Sequence, residues 1–161
     1  VIAYRFADVP QDRAKHRLTG DYNVSPRLQV GFEYNVAVQE IAPRATWIVQ
    51  PEDESRPMVF FNTSSDRIGT PEGYQLVSVN AAKTLHGTKL SPYLTVAYSG
   101  FDKKLVFPFG ASYGFSPRWR ATGMNDGRKS HLLVTYSEEA YFIQAAWIWF
   151  KHPAVAIGWG F

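Results

Sequence analysis

The last eight residues, "AVAIGWGF" (Ala154–Phe161), decide the fold. Ala154, Ala156, Gly158 and Gly160 take every second place, and Val155, Ile157, Trp159 and Phe161 take the others. Successive side chains of a β-strand point to opposite faces, so this is a strand with one broad apolar face and one almost bare face. A water-soluble sandwich buries its apolar face and shows solvent a polar one. Gly and Ala are poor choices for that solvent side. The segment therefore raises the question of which face is the outside.

The same period of two runs through the chain. Leu18, Gly20, Tyr22 and Val24 alternate with Arg17, Thr19, Asp21 and Asn23. Leu28, Val30, Phe32 and Tyr34 alternate with Gln29, Gly31, Glu33 and Asn35. The pattern returns over Leu105–Phe115 and His131–Tyr136. Helical periodicity is absent, and β-branched and aromatic residues dominate. Turn signals at Ser25-Pro26, Pro51–Ser55, Gly69–Gly73, His86-Gly87, Gly100–Asp102, Ser116-Pro117, Asn125–Gly127, Ser137–Glu139 and His152-Pro153 punctuate the runs. They predict strands over roughly 2–8, 16–24, 27–36, 44–50, 57–63, 74–84, 91–99, 104–115, 118–124, 130–137, 140–150 and 154–161, and no helix. One short echo stands out: Tyr22–Leu28 and Tyr113–Trp119 both read aromatic, any, apolar, Ser-Pro-Arg, bulky apolar. Proline suits such a tight turn between consecutive strands.

Strands with this many large residues on one face, among them Tyr113 and Trp147, overfill a small soluble core. A barrel closed in a bilayer inverts the arrangement: bulky side chains face lipid, and small or polar ones face the interior. The expected fold is all-β, an antiparallel up-and-down (meander) transmembrane β-barrel of about 12 strands (10–12), in a single domain spanning residues 1–161. Parity places both Ser-Pro-Arg turns, Pro51–Ser55, His86-Gly87, Ser137–Glu139 and both termini at one end. It places Val36–Ala42, Ser64–Gly73 and Asn125–Lys129 at the other, as longer loops. An aromatic girdle at the membrane interfaces would comprise Tyr22, Tyr34, Trp47, Tyr98, Phe115, Trp119, Trp149, Trp159 and Phe161. Tyr22, Phe115, Trp119, Tyr141, Trp159 and Phe161 fall at the short-turn rim. Tyr34, Trp47, Tyr98, Phe107 and Trp149 fall toward the opposite one.

Composition narrows the function classes. The 161 residues are 45% hydrophobic and 19% charged, which argues against disorder. A net charge of +3 without a basic run gives no nucleic-acid signature, so no nucleic acid is expected as a partner. With no cysteine there is neither a disulfide framework nor a thiolate metal site. No apolar run is long enough for a transmembrane helix. The chain opens at Val1 without Met or a basic-then-apolar leader, which leaves a removed signal and a longer parent both open.

The period-two strands, the Ser-Pro-Arg turns and the aromatic C-terminal strand resemble Gram-negative outer-membrane β-barrel proteins over nearly the whole chain. In that family the last strand commonly ends in Phe and is read by the insertion machinery. The resemblance therefore implies that Val155, Ile157, Trp159 and Phe161 form a signal for the barrel-assembly machinery as well as a wall strand. More loosely, "VFFNTSSDRIGTP…YQLVSVNAAKTL" and "MNDGRKSHLLVTYS" are similar to barrel segments of exopolysaccharide-associated outer-membrane proteins. The implied location is the bacterial outer membrane, and the implied partner the lipid bilayer. The loops are short for the family, and Pro92 and Pro108 interrupt strands, which leaves the register open there.

Chemistry-bearing residues then fall inside. Asp21, Gln29, Glu33, Asn35, Asn80, Arg118, Arg120 and Gln144 are the expected lumen-lining set, with Arg17 beside them. They would line a small porin-like pore for a polar solute or glycan, or pair to plug it. Asp21 and Glu33, on adjacent strands, form a candidate carboxylate pair of the kind glycosidases use. Asp126, Ser130 and His131 suggest a hydrolase, but Ser130 and His131 are neighbours on a strand and point oppositely. His16, His86, His131 and His152 are dispersed, so no metal and no other cofactor is expected. Asp66, Arg67 and Gly69–Gly73 form a loop that could contact partners. The leading reading is a non-enzymatic pore, anchor or export-associated wall. The alternatives are a soluble lipocalin-like β-barrel or β-sandwich binding an apolar ligand, and a barrel enzyme acting on lipid or glycan.

Overall fold

A computed structural model describes residues 1–160, so Phe161 and its expected interface role lie outside the described residues. Thirteen β-segments form a single sheet. They are β1 (Ile2–Ala7), β2 (His16–Ser25), β3 (Leu28–Asn35), β4 (Glu40–Gln50), β5 (Met58–Ser65), β6 (Gln75–Ala82), β7 (Leu90–Ser99), β8 (Lys104–Val106), β9 (Phe109–Gly114), β10 (Trp119–Asn125), β11 (Ser130–Ser137), β12 (Tyr141–Ile148) and β13 (His152–Trp159). Each pairs antiparallel with its neighbours, β13 returns to β1, and β6 pairs with β7. The sheet is therefore closed. β8 and β9 are two halves of one stave, because both continue the same register along β7, from Ala97↔Val106 to Leu94↔Phe109. The result is a 12-stranded meander barrel.

Proline explains the one broken stave. Pro108 has no N–H for the ladder, yet its carbonyl still accepts from the Thr95 N–H at 2.8 Å, so the register survives the gap. Pro92 stays inside β7, opposite Ala111.

The faces divide as the opening octapeptide suggests. Val155 is 56% exposed on the outside, whereas Ala154 is buried inside. Gly158 is bare because the Phe142 ring lies where its Cβ would be. Phe109, Trp147 and Trp159, each about half exposed, stand on the outside rather than meeting in a dry centre. The compact apolar cluster is small and sits at one end: Ala7, Val9, Ala14, Ile148 and Ala154, backed by Ile68, Ala146 and Trp149.

That end is the loop end, where Asp8–Lys15, Val36–Gln39, Asp66–Tyr74, Gly100–Lys103, Asp126–Lys129 and Trp149–Lys151 connect the staves. The turn end carries the other connections and the first residue, Val1, whose carbonyl accepts from Asp21 N at 2.8 Å. The two ends differ less in connection length than expected, since Pro51–Pro57 and Lys83–Lys89 at the turn end rival Asp66–Tyr74. They differ in direction, because the loop end folds inward.

Four expectations need correction. A one-turn helix, α1 (Asp12–Lys15), and a 3-10 turn (Val36–Val38) are present where no helix was expected. Both are too short to leave a periodic signal. The stave expected over 140–150 ends at Ile148, because Trp149 and Phe150 both take left-handed φ values, 57° and 53°, in a tight turn closed by Lys151 N to Ile148 O. That turn carries Trp149 over Gly69 and beneath the Lys129 ammonium, 3.8 Å from the ring centroid, so it caps the loop end instead of joining the outward girdle. Trp47 lies at the turn end, opposite Leu28 and stacked on Phe61, not at the loop rim.

Candidate functional site

Buried ionisable side chains converge in the interior. α1 drops Arg13 into the loop end, where its Nε donates to Glu40 Oε2 at 2.8 Å and its Nη1 to Thr70 Oγ1 at 2.8 Å. Glu40 also accepts from Asn35 Nδ2 at 2.7 Å and Gly73 N at 2.6 Å. These bonds tie the β1–β2 connection to the Asp66–Tyr74 loop across the barrel mouth. Ionised groups removed from water need partners of this kind.

A second cluster hangs from the same loop. Asp66 accepts from Ser99 Oγ at 2.6 Å, from Phe101 N at 3.2 Å and from its neighbour's backbone N–H at 2.7 Å. Arg67 donates to Asp66, to Ser99 Oγ and, in a short ion pair, to Asp102. The hydrogen bond from Arg67 holds the Asp102 carboxyl below the usual carboxylate range. In the loop read from sequence as a partner-contacting surface, Asp66, Arg67 and Thr70 point inward and plug the mouth, whereas Pro71, Glu72 and Gly73 stay exposed.

A third cluster is the Asp126–His131 pair, 3.0 Å apart and facing the interior. Burial pushes the Asp126 carboxyl up. The hydrogen bond to His131 and the Lys129 and Arg128 N–H groups outweigh that and hold it below its ordinary value. Ser130 takes no part: its Oγ accepts from Asn125 Nδ2 at 3.1 Å. Among the described residues, His131 is hydrogen-bonded to Asp126 and to no side-chain hydroxyl.

The eight lumen residues expected from sequence do not form one site. Glu33 and Asn35 lie deepest, fully buried, with Glu33 Oε2 at 3.4 Å from Arg17 Nη1. Asp21 pairs separately with Arg44 at 3.5 Å, and its register partner is Gly31 rather than Glu33, so the two carboxylates have different arginines. Asn80 accepts from Thr95 Oγ1 at 2.7 Å, and Gln144 donates to Thr135 at 2.9 Å, both at mid-barrel. Gln29, bonded to Asn23, lies at the turn-end mouth with Arg118 and Arg120. Arg118 is largely exposed there and pairs with Glu138.

The set omitted Arg5, Arg13, Asp66, Arg67, Asp126 and His131. Arg5 was legible: Ala3, Arg5 and Ala7 alternate with Ile2, Tyr4 and Phe6. His131 was legible in the same way, alternating with Leu132 on β11, whereas Arg13, Asp66, Arg67 and Asp126 sit in connections, where parity gives no facing. Beneath the plug remains a cavity of about 360 Å³, whose lining includes Arg5, Arg17 and Arg67, the apolar Ile68, Leu76 and Leu133, and polar groups such as Ser78, Asn80 and Thr95. Gln144 lines both this cavity and the turn-end mouth. Among the described residues no three His, Asp or Glu side chains are grouped to hold a metal ion.

On the outside, Tyr22 is 73% exposed, and Trp47, Tyr98, Phe115, Trp119 and Trp159 also stand outward, while Tyr34 is half-buried. Phe115, Trp119, Tyr136 and Tyr141 form a run of ring contacts around the turn end, with centroids 5.1 to 6.3 Å apart. The architecture defines the class, a closed antiparallel β-barrel with a charged interior. Comparison finds no family model, no curated protein and no solved structure that matches the chain.

Proposed function

We propose that this chain is an integral barrel of the bacterial outer membrane. It acts as a porin-like wall or anchor whose polar lumen admits small polar solutes or glycan from the turn end and is plugged at the loop end. The observation that carries this reading is the distribution of side chains. Large apolar residues stand exposed around the barrel, from Ile2, Phe32 and Trp47 to Leu94, Phe109 and Val155, while Arg13, Glu33, Asp66 and Arg67 are buried. Isolated exposed apolar residues are ordinary, but a band encircling the molecule far exceeds the patches that water-soluble monomers carry. A closed ladder also leaves no sheet edge unpaired, as hydrocarbon requires.

The run of aromatic rings around the turn end suits a bilayer interface. β13, with Val155, Ile157 and Trp159 outward, suits recognition by the barrel-assembly machinery. A lipocalin-like carrier of an apolar ligand needs an apolar interior, and this one is crossed by arginines and carboxylates. No catalytic role is assigned.

Partitioning tests the reading. Expressed with an export signal, the chain should remain in the outer membrane after carbonate washing and show heat-modifiable gel mobility. Recovery as a folded monomer in detergent-free buffer would refute it.

A further inference from the structure

Arg5 and Arg17 are register partners on adjacent strands, and both point inward. Like charges directly opposite one another destabilise a sheet. Glu33 lies 3.4 Å from Arg17, but no carboxylate lies within ion-pair distance of Arg5 among the described residues. Arg5 donates once, from Nη2 to Ala14 O at 3.2 Å, and its buried Nε has no partner. Arg67, nine-tenths buried, likewise leaves Nη1 without a partner. Each buried donor left without an acceptor is costly, so an acceptor placed in the cavity beside these two would be stabilising.

All three arginines line the 360 Å³ cavity, together with the apolar side chains of Leu76, Leu133 and Ile148 and with polar groups that include Ser78, Asn80 and the carboxylates Asp66 and Asp126. We propose that this cavity binds a small amphipathic anion: a carboxylate or phosphate head on Arg5, Arg17 and Arg67, and a compact apolar body against Leu76, Leu133 and Ile148. The head would supply the acceptor that Arg5 Nε and Arg67 Nη1 lack. Arginine forks suit both head chemistries. The volume lies at the small end of ligand sites, of order 300–1,000 Å³. Arg118 and Arg120 at the mouth, joined to the cavity through Gln144, give an anion a favourable approach. The inference rests on the interior alone, so binding and membrane partitioning can fail independently.

Calorimetric titration of the folded chain in uncharged detergent tests it with three probes. Benzoate and phenyl phosphate present the two heads on one body, and benzyl alcohol presents the body without charge. Saturable binding of either anion, with benzyl alcohol at least about tenfold weaker, is expected, and the preferred anion identifies the head. Arg5→Gln should weaken the preferred anion about tenfold or more. Leu133→Trp leaves the arginines in place and fills the apolar half, so it should abolish binding and decides the matter if Arg5→Gln does not fold. No saturable binding of either anion, equal binding of benzyl alcohol, or undiminished binding by folded Arg5→Gln or Leu133→Trp overturns the proposal.

Discussion

Glu33 is a fully buried carboxylate facing two arginines that oppose each other across β1 and β2. Its removal and that of Arg17 are therefore not equivalent. Glu33→Gln leaves Arg5 and Arg17 in mutual repulsion with no carboxylate between them and should cost about 3–5 kcal/mol, the usual penalty for stranding buried charge. Arg17→Gln should cost less, because Arg5 remains within the field of Glu33. The double variant should recover part of the Glu33→Gln loss. Urea unfolding in detergent micelles measures all three, and equal costs for the single variants would show that Arg5 does not share the carboxylate. Asp126 permits a pH prediction. Its folded pKa lies below the ordinary value, so its contribution is fully present above the unfolded value of about 3.9 and is lost as pH falls through the folded one. Acidification below about pH 4 should loosen the Asp126–Lys129 turn before the barrel melts. Trp149, stacked under Lys129, reports it as the fluorescence difference between wild type and Trp149→Phe. Asp126→Asn should remove that acid step.

At the level of elements, the Ser-Pro-Arg echo is a repeated device. Ser25 Oγ accepts from the N–H groups of Arg27 and Leu28 at 3.3 and 3.1 Å, and Ser116 Oγ from those of Arg118 and Trp119 at 3.3 and 3.1 Å. Ser25→Ala and Ser116→Ala should each cost about 1 kcal/mol, and they should add because the turns share no partner. Denaturant midpoints of the single and double variants check both statements. The staves were legible because each carries its own period: β2, β3 and β11 lie within a residue or two of the ranges read from alternation. Facing was legible wherever a stave continues, which is why Glu33, Asn35 and Asn80 were placed inside. It was not legible in connections, where no period exists. α1 holds four residues, and its role comes from Arg13 reaching Thr70 and Glu40 far along the chain. Asp66 and Arg67 look like any polar loop in sequence, and only closure of the barrel turns them inward. The Trp149-Phe150 turn was hidden for another reason: the left-handed pair of a tight hairpin ordinarily takes Asn or Gly, and two aromatics there read as more strand.

For the whole molecule, the decisive quantity is the free energy of the outer surface, and one substitution separates its two possible surroundings. Val155 lies near the middle of β13, opposite Ala145 and Phe6, and its side chain is directed away from the interior. If that surface meets acyl chains, Val155→Lys places an ammonium in hydrocarbon at about 2–4 kcal/mol near the midplane. Folding into phospholipid vesicles should then be weakened by that amount. If the surface meets water, the same change relieves an exposed apolar position, leaves stability within roughly 0.5 kcal/mol and improves solubility. The lysine stays outside, so the interior ion pairs of Arg17 with Glu33 and of Arg67 with Asp66 are untouched in either case, and the difference reports on the surroundings alone. Vesicle-folding titrations of wild type and Val155→Lys, run beside solubility in detergent-free buffer, carry the comparison. A variant that inserts as well as wild type and dissolves better would place water, not lipid, around the barrel, whereas a loss of a few kcal/mol confined to insertion is the result that lipid around the barrel requires.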